Sequence, residues 1–208
     1  MTILSELDKK NVDMEKIAKK TLKDKRLISD LLEGVLSKKD EIRFNSHNVL
    51  MLISKKHPEM IYNRWDFFED LLNSDNNYQK YIAIHIIANL AEFDTENKFE
   101  KIFERYYNIL AGNGTMVAGH LVGNSGKIAK AKPKLQTKIT NKLLNIDDIH
   151  QGKQKELIKA YAIEAFDEYF NESKNKKEIL EFVNKQLKSE SPKTRKKAEE
   201  FLKKWKIN

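Results

Sequence analysis

The chain has 208 residues, 39 basic and 31 acidic side chains, and a formal net charge of +8. It has no cysteine, which excludes disulfides and thiolate chemistry and favours the reducing cytoplasm, and no apolar run approaches the roughly 18 residues of a membrane span. Three prolines and seven glycines, with 40% hydrophobic and 34% charged residues, predict an all-helical chain rather than a disordered one.

The N-terminal segment, residues 1–24, lacks the helix-pair pattern that recurs in the rest of the chain. Chains built from repeated helical units usually end in atypical units that cover the end of the core. We therefore expect one or two N-terminal cap helices in residues 1–24, ahead of repeated units in residues 25–208.

The first clear unit pairs two predicted helices. An apolar helix at Leu27–Leu36 is followed by the polar turn Ser37–Glu41. The second helix then carries a basic residue, Arg43, and a small residue, Ser46, three positions further on. Because apolar residues recur at spacings of three and four, each helix is expected to bury one face.

The second unit repeats this order. The apolar helix Trp65–Leu72 leads into the polar turn Asn73–Asn77, and the next helix carries Lys80 and then Ala83. We expect the small residue to let the paired helices approach closely. The basic residue is expected to reach a carbonyl or carboxylate in the neighbouring turn, which would form a ladder along the chain.

The third and fourth units depart from the pattern. The third, Ala111–Lys130, has no basic residue at the expected place. In the fourth, a longer turn at Asn145–Gly152 precedes a second helix at Lys153–Asn171.

Three glycines of the third unit, Gly119, Gly123 and Gly126, fall on one stripe of its helix. Each costs roughly 0.5–1 kcal/mol relative to alanine in a helix interior. The stripe therefore indicates that something approaches the backbone closely, either a partner or another part of the same chain.

The last unit returns to the pattern, with an apolar helix at Ile179–Leu187, the turn Lys188–Pro192, and then Arg195 and Ala198. The leucines that end the first four apolar helices are spaced by 36, 38 and 34 residues, a period typical of helix-pair repeats: Leu36, Leu72, Leu110 and Leu144.

These units, with D-E-I-R-F-N-S at Asp40–Ser46 and S-P-K-T-R-K-K-A at Ser191–Ala198, resemble the HEAT-repeat family and its armadillo relatives. The resemblance implies a right-handed α-α superhelix of about five helix pairs, forming one domain over residues 1–208. It also implies a protein-interaction scaffold whose second helices line a concave surface.

Positions opposite the core face of the second helices are the candidate contacts for a partner peptide or helix. They are Phe44, Asn48, Met51, Tyr81, His85, Gly119, Gly123 and Gly126. Exposed aromatic residues and methionine are favoured at adaptable protein interfaces. Two alternatives stay open: the glycines pack on a neighbouring helix, and the aromatic residues belong to the core.

No catalytic or metal-binding pattern stands out. No glycine-rich phosphate loop is present, and the five histidines do not form a paired metal-ligand spacing. Glu164 and Asp167 share a helix face, which suits acid–base chemistry but is more typical of a solvated acidic patch. The sequence therefore predicts no enzymatic activity, cofactor or metal, and a protein partner away from membranes.

A nucleic-acid-binding solenoid is the alternative, since some HEAT-like proteins bind duplex DNA along a basic face. The candidate phosphate contacts are Lys127, Lys130, Lys134, Lys138, Arg195 and Lys196. Only five of the 39 basic residues are arginine, and lysine lacks the planar fork suited to bidentate phosphate or base contacts.

Overall fold

The computed structural model describes residues 2–112 and 114–207. Within these ranges the chain forms α-helices and short 3₁₀ turns and contains no strand. The prediction of an all-helical protein is confirmed. Among the described residues, no helix is both long and apolar enough to cross a membrane.

The chain divides into two compact units, Met1–Thr95 and Glu96–Asn208. The predicted single domain over residues 1–208 stays a prediction. The helices of the first unit are α1 Leu4–Leu7, α2 Met14–Lys23, α3 Leu27–Val35, α4 Asp40–Lys56, α5 Trp65–Leu71 and α6 Asn77–Leu90. Those of the second are α7 Lys98–Asn108, α8 Thr115–Ala131, α9 Gln136–Leu144, α10 Ile146–Ile149, α11 Lys155–Tyr169, α12 Lys176–Gln186 and α13 Pro192–Lys204.

The described residues contain the five predicted helix pairs: α3 with α4, α5 with α6, α7 with α8, α9 with α11, and α12 with α13. The long turn predicted at Asn145–Gly152 contains one further short helix, α10. The helices α1 and α2 occupy the segment expected to hold the cap.

The N-terminal segment is tied to the first helix pair. Ile3 and Leu7 are fully buried, and the backbone N–H of Ile3 donates to the carboxylate of Asp30 on α3 (2.9 Å). The buried side-chain amide of Asn45 on α4 donates to the carbonyls of Leu7 (2.7 Å) and Lys9 (2.8 Å). Buried amides of this kind are retained where they satisfy backbone acceptors.

In the first pair, α3 and α4 approach closely at Gly34. A Cβ built on Gly34 would lie 2.0 Å from Oγ of Ser46, the small residue that the sequence pattern identifies. Ser46, Ala83 and Ala198 are all fully buried, as expected for residues that let paired helices come together.

The basic residue of the pattern binds the turn of its own pair. The guanidinium of Arg43 donates to the carbonyl of Ser37 (3.0 Å), and that of Arg195 donates to the carbonyl of Ser189 (2.6 Å). In both cases the acceptor lies six residues earlier, so each bond fastens one turn to the following helix. The ladder expected along the chain is therefore a local contact, and Lys80 makes no such bond among the described residues.

The second helices lie side by side and run in the same direction within each unit. In the first unit, His47 of α4 contacts Tyr78 near the start of α6, and Ser54 further along α4 contacts Asn89 near its end (2.9 Å). In the second unit, α8, α11 and α13 stack in the same way, and Gly119 lies against Tyr161.

Buried tyrosines hold the core of the second unit. The hydroxyl of Tyr107 donates to Oγ of Ser125 (3.0 Å), and that of Tyr169 lies 2.9 Å from Oγ1 of Thr140. Burial raises the pKa of both phenols, because the charged form would lose its hydration. These bonds satisfy hydroxyls that the apolar surroundings would otherwise leave unpaired.

Candidate partner-binding surface

The second helices of the first unit, α4 and α6, present a set of partly exposed aromatic side chains. Phe44 is 56% exposed, the highest value among the large apolar side chains that the structure describes. Asn48 and Met51 follow Phe44 along α4 and are half-buried, as are Tyr81 and His85 on α6. Five of the predicted contact residues are thus at least partly accessible in one unit.

The aromatic rings of this surface contact one another. Tyr78 and Tyr81 stack with ring centroids 5.8 Å apart and an interplanar angle of 25°, and the ring of His85 lies 4.5 Å from that of Tyr81. The guanidinium of Arg43 lies 5.3 Å from the ring centre of Tyr78. Contacts of these kinds hold the rings in fixed orientations.

A histidine lies beneath the two tyrosines. His47 is buried, with its ring 5.2 Å from that of Tyr81 and its Nδ1 3.5 Å from the hydroxyl of Tyr78. Its Nε2 has no hydrogen-bond partner. Burial lowers the pKa of His47 to about 4, because the imidazolium would be poorly solvated there.

Sequence reasoning missed Tyr78 as part of this surface and His47 as the buried ring beneath it. Tyr78, Tyr81 and His85 recur at spacings of three and four, and this spacing was the available signal. Ala88 follows Tyr81 by seven residues and so lies on the same side of α6, but the structure buries it.

The glycine stripe lies in the second unit and packs on the chain's own helix α11. A Cβ on Gly119 would lie 3.0 Å from the ring of Tyr161, and one on Gly126 would lie 2.7 Å from the carbonyl oxygen of Ala165. Both glycines are buried, and Gly123 is half-buried. Another helix of the same chain therefore makes the close approach that the glycines indicate.

Tyr161 separates the glycines from a lysine of α13. The ammonium of Lys193 lies 3.6 Å from the centre of the Tyr161 ring. Burial, together with the charge of Lys193, lowers the pKa of the half-buried His120 on α8. This side of the second unit therefore combines one aromatic ring, one cation and one imidazole.

The two carboxylates considered for acid–base chemistry are ion-paired. Glu164 lies 3.1 Å from Nζ of Lys197. Asp167 lies 2.7 Å from Nζ of Lys204 and accepts a hydrogen bond from the indole N–H of Trp205 (2.8 Å). They join α11 to α13 and stay partly exposed, so lysines of α13 balance the charge of the solvated acidic patch expected on this face. Ala160 precedes Glu164 by four residues on the same side of α11 and is fully buried.

The basic residues proposed for nucleic-acid binding differ in their surroundings. Lys134 and Lys138 are exposed and unpaired within the described ranges. Arg195 binds the carbonyl of Ser189, and Lys196 lies 3.9 Å from a carboxylate oxygen of Glu200.

On α8, the exposed Lys130 and the half-buried Lys127 lie near the carboxyl of Glu168. Burial raises the pKa of Glu168 above its usual value, and the charges of the two lysines only partly oppose this effect.

The basic surplus belongs to the second unit, which carries 24 basic and 15 acidic residues. Across the described ranges, no group of three or more histidines and carboxylates could hold a metal ion.

Comparison with solved structures identifies the fold. A designed armadillo repeat protein superposes with a TM-score of 0.61 at 16% sequence identity, over 99% of this chain and 90% of its own. An engineered protein solved by a structural genomics consortium gives 0.57 at 17% identity, over 99% and 97%. No protein-family model matches the chain, and no curated protein matches it. The predicted HEAT- and armadillo-like α-solenoid is confirmed.

Proposed function

We propose that the chain is a non-enzymatic scaffold that binds a peptide or helix of a partner protein on the face formed by its second helices. In the first unit the proposed contacts are Phe44, Asn48, Met51, Tyr81 and His85. In the second unit Gly123 is the partly accessible glycine of the stripe, whereas Gly119 and Gly126 are buried against α11. The cytoplasm is the proposed location, supported by the absence of cysteine.

One observation carries the proposal: Phe44 is 56% exposed on α4, the helix whose His47 packs against the stacked rings of Tyr78 and Tyr81. Water disfavours an exposed phenyl ring, and burying such a ring in a partner releases a few kcal/mol. Rigid aromatic side chains also lose little conformational entropy on binding, which favours them as anchors.

The absence of a catalytic step is part of the same proposal. Glu164 and Asp167, which the sequence places together, are neutralised by Lys197 and Lys204. His47 is buried beneath tyrosines and does not reach the surface. These groups act in packing and ion pairing, which leaves binding as the activity that the geometry supports best.

Variant-dependent capture tests the proposal. The tagged chain and its Phe44→Ala, Tyr81→Ala and Gly123→Leu variants are used to capture partners from lysate, which are identified by mass spectrometry. The affinity of a captured partner should fall about tenfold or more with Phe44→Ala, as expected for an anchor residue.

Leu36→Ala is the matched control, since Leu36 is a 49% exposed apolar residue at the end of α3, outside the proposed face. A partner that binds all three variants as well as it binds the unchanged chain would contradict the proposed face.

Nucleic-acid binding is the second candidate, favoured by the charge of the second unit and by the unpaired Lys134 and Lys138. Bound nucleic acid would co-purify with an excess absorbance at the wavelength of the bases, and its affinity would fall steeply with rising salt. A partner held by Phe44 would depend weakly on salt.

A further inference from the structure

The helix α2 presents a stripe of unpaired lysines to solvent. Lys16, Lys19 and Lys23 are exposed and recur at spacings of three and four, so they lie on one side of the helix. Their ammonium groups make no hydrogen bond or ion pair within the described part of the chain.

The carboxylates around these lysines are already engaged. Each of the five acidic residues between positions 2 and 25 has a partner: Glu6 pairs with Lys20, Asp8 with Lys39, Glu15 with Lys56 and Asp24 with Arg26, while Asp13 caps α2. The Arg26 guanidinium lowers the pKa of Asp24 to about 2. Glu6, Asp13 and Glu15 therefore lie beside the stripe but are held by other partners, and none of them pairs with Lys16, Lys19 or Lys23.

A groove with an apolar floor runs beside the stripe, between α2 and α4. Its volume is about 220 Å³, and Leu22 and Leu52, both half-buried, line it together with the buried Ala18 and Ile53. Lys19 and His57 lie at its rim, and the ion pair between Glu15 and Lys56 (2.7 Å) also lines it, which leaves Lys19 as the unpaired cation there among the described residues. An apolar floor with cations along one edge is complementary to a chain that carries an aliphatic side chain flanked by carboxylates.

We propose that this groove docks an acidic amphipathic helix of a partner protein. An aliphatic side chain of the partner fills the space between Leu22 and Leu52, and its carboxylates pair with Lys16, Lys19 and Lys23. This docking goes beyond the function proposed above, because it uses different residues and involves α2, a helix outside the surface formed by α4 and α6.

The geometry favours a protein over the other polyanions. Nucleic acid carries no aliphatic side chain to fill the groove, and the stripe consists of lysines, which lack the bidentate fork. A membrane-binding helix inserts its apolar face, but α2 buries Ile17, Ala18 and Thr21 in the protein and has no free apolar face to insert.

Fluorescence anisotropy with a labelled synthetic peptide tests the proposal. The peptide places leucine on one helical face and glutamate on the rest, and a scrambled peptide of the same composition is its control. The full-length chain should bind the amphipathic peptide and should bind the scrambled peptide at least about tenfold more weakly.

Two sets of variants locate the peptide. The double variant Lys19→Glu with Lys23→Glu should weaken binding about tenfold or more, and Leu22→Ala by about tenfold through lost apolar contact. The matched control reverses the same number of exposed, unpaired lysines elsewhere, at Lys134 and Lys138, and should leave the affinity unchanged. Thermal melts show whether each variant is folded, and the lysine variants test the site even if Leu22→Ala unfolds.

Several outcomes would overturn the proposal. If charge reversal at Lys134 and Lys138 weakened peptide binding equally, the overall charge of the chain would explain the loss of affinity. Equal binding of the scrambled peptide would exclude the apolar contact. Binding of phosphatidylserine vesicles or duplex DNA more tightly than the peptide would assign the stripe to another polyanion. A loss with Phe44→Ala as large as that with the α2 variants would place the peptide on the α4–α6 face.

Discussion

The imidazole of His47 lies buried among tyrosines with one ring nitrogen unpaired. Its pKa is about 4 in the folded chain and about 6.5 for a free side chain. As the pH falls, the unfolded chain therefore binds the proton first, so the stability that the neutral imidazole contributes is lost between about pH 6.5 and about pH 4.

This shift predicts a stability that depends on pH. Between about pH 7 and pH 5 the free energy of unfolding should fall by about 2 kcal/mol through His47 alone. The variant His47→Phe removes the titrating group and keeps a ring against Tyr78 and Tyr81. Urea unfolding of both proteins at the two pH values measures the difference, and an unchanged pH dependence in His47→Phe would contradict the assignment.

Single residues also mark how far sequence reasoning reaches. The helical wheel predicts Phe44 on the open side of α4, and its exposure agrees, because no helix of the first unit covers that position. Helical spacing likewise puts Ala88 on the side of Tyr81 and Ala160 on the side of Glu164, yet both alanines are buried. A helical wheel treats the side opposite the core as solvent, but a second helix of a repeat packs against neighbours on both flanks as well.

At the scale of the helix, the glycines of α8 separate into two kinds. Gly126 lies against the backbone of α11, and a Cβ there would be 2.7 Å from the carbonyl oxygen of Ala165. Gly123 has ordinary space, with its nearest atom on Tyr161 at 3.6 Å. Glycine is therefore required at position 126, at one end of the contact, and can be replaced at position 123, in the middle of the stripe.

This difference predicts opposite effects of the same substitution. Gly126→Ala should destabilise the chain by about 1–3 kcal/mol, because the backbone of α11 has to shift. Gly123→Ala should stabilise it by about 0.5–1 kcal/mol, because alanine is the better helix former. Chemical denaturation measures both, and a destabilising Gly123→Ala would show that the α8–α11 contact is tighter than the structure indicates.

The sequence predicts the helix pairs and the role of two of the three basic residues. Arg43 and Arg195 reach carbonyls of the preceding turn, six residues back, whereas Lys80 does not. An ammonium at the end of a flexible chain offers three donors without a planar fork, so a lysine is a weaker replacement for the arginine at such a turn. Sequence spacing alone could not show that difference.

The glycine stripe shows a second limit. The three glycines of α8 indicate a close approach but not the group that approaches, because the approaching residues, Tyr161 and Ala165, are more than 30 residues away in the sequence. Contacts between non-adjacent helices depend on how the repeats stack. The short period of the pattern carries no information on that stacking.

At the scale of the whole molecule, charge is distributed unequally between the two units. The first unit has 15 basic and 16 acidic residues, whereas the second has 24 and 15. The lysine stripe on α2 is therefore a local feature of a nearly neutral unit, set apart from the general basicity of Glu96–Asn208. This separation makes charge reversal at Lys134 and Lys138 a fair control for charge reversal on α2.

A repeat chain also depends on how its end is covered. Ile3 and Leu7 are fully buried, and Asn45 and Asp30 fix the segment that carries them through hydrogen bonds to its backbone. In stacked repeats each unit is stabilised by its neighbours, so a terminal unit needs a cap with a polar outer face. The solvent-facing side of α2 carries the lysine stripe, as expected for a helix with this role.

Removal of residues 1–24 should therefore expose the apolar side of α3 and α4 to solvent. We expect the shortened chain to lose several kcal/mol of stability through the exposed apolar area and to self-associate through that surface. Light scattering and thermal melting measure both effects. The full-length variant Asn45→Ala keeps the apolar cap and loses two hydrogen bonds, so it should lose about 1–3 kcal/mol and remain monomeric. A monomeric, equally stable chain without residues 1–24 would show that the cap does not cover the end of the core.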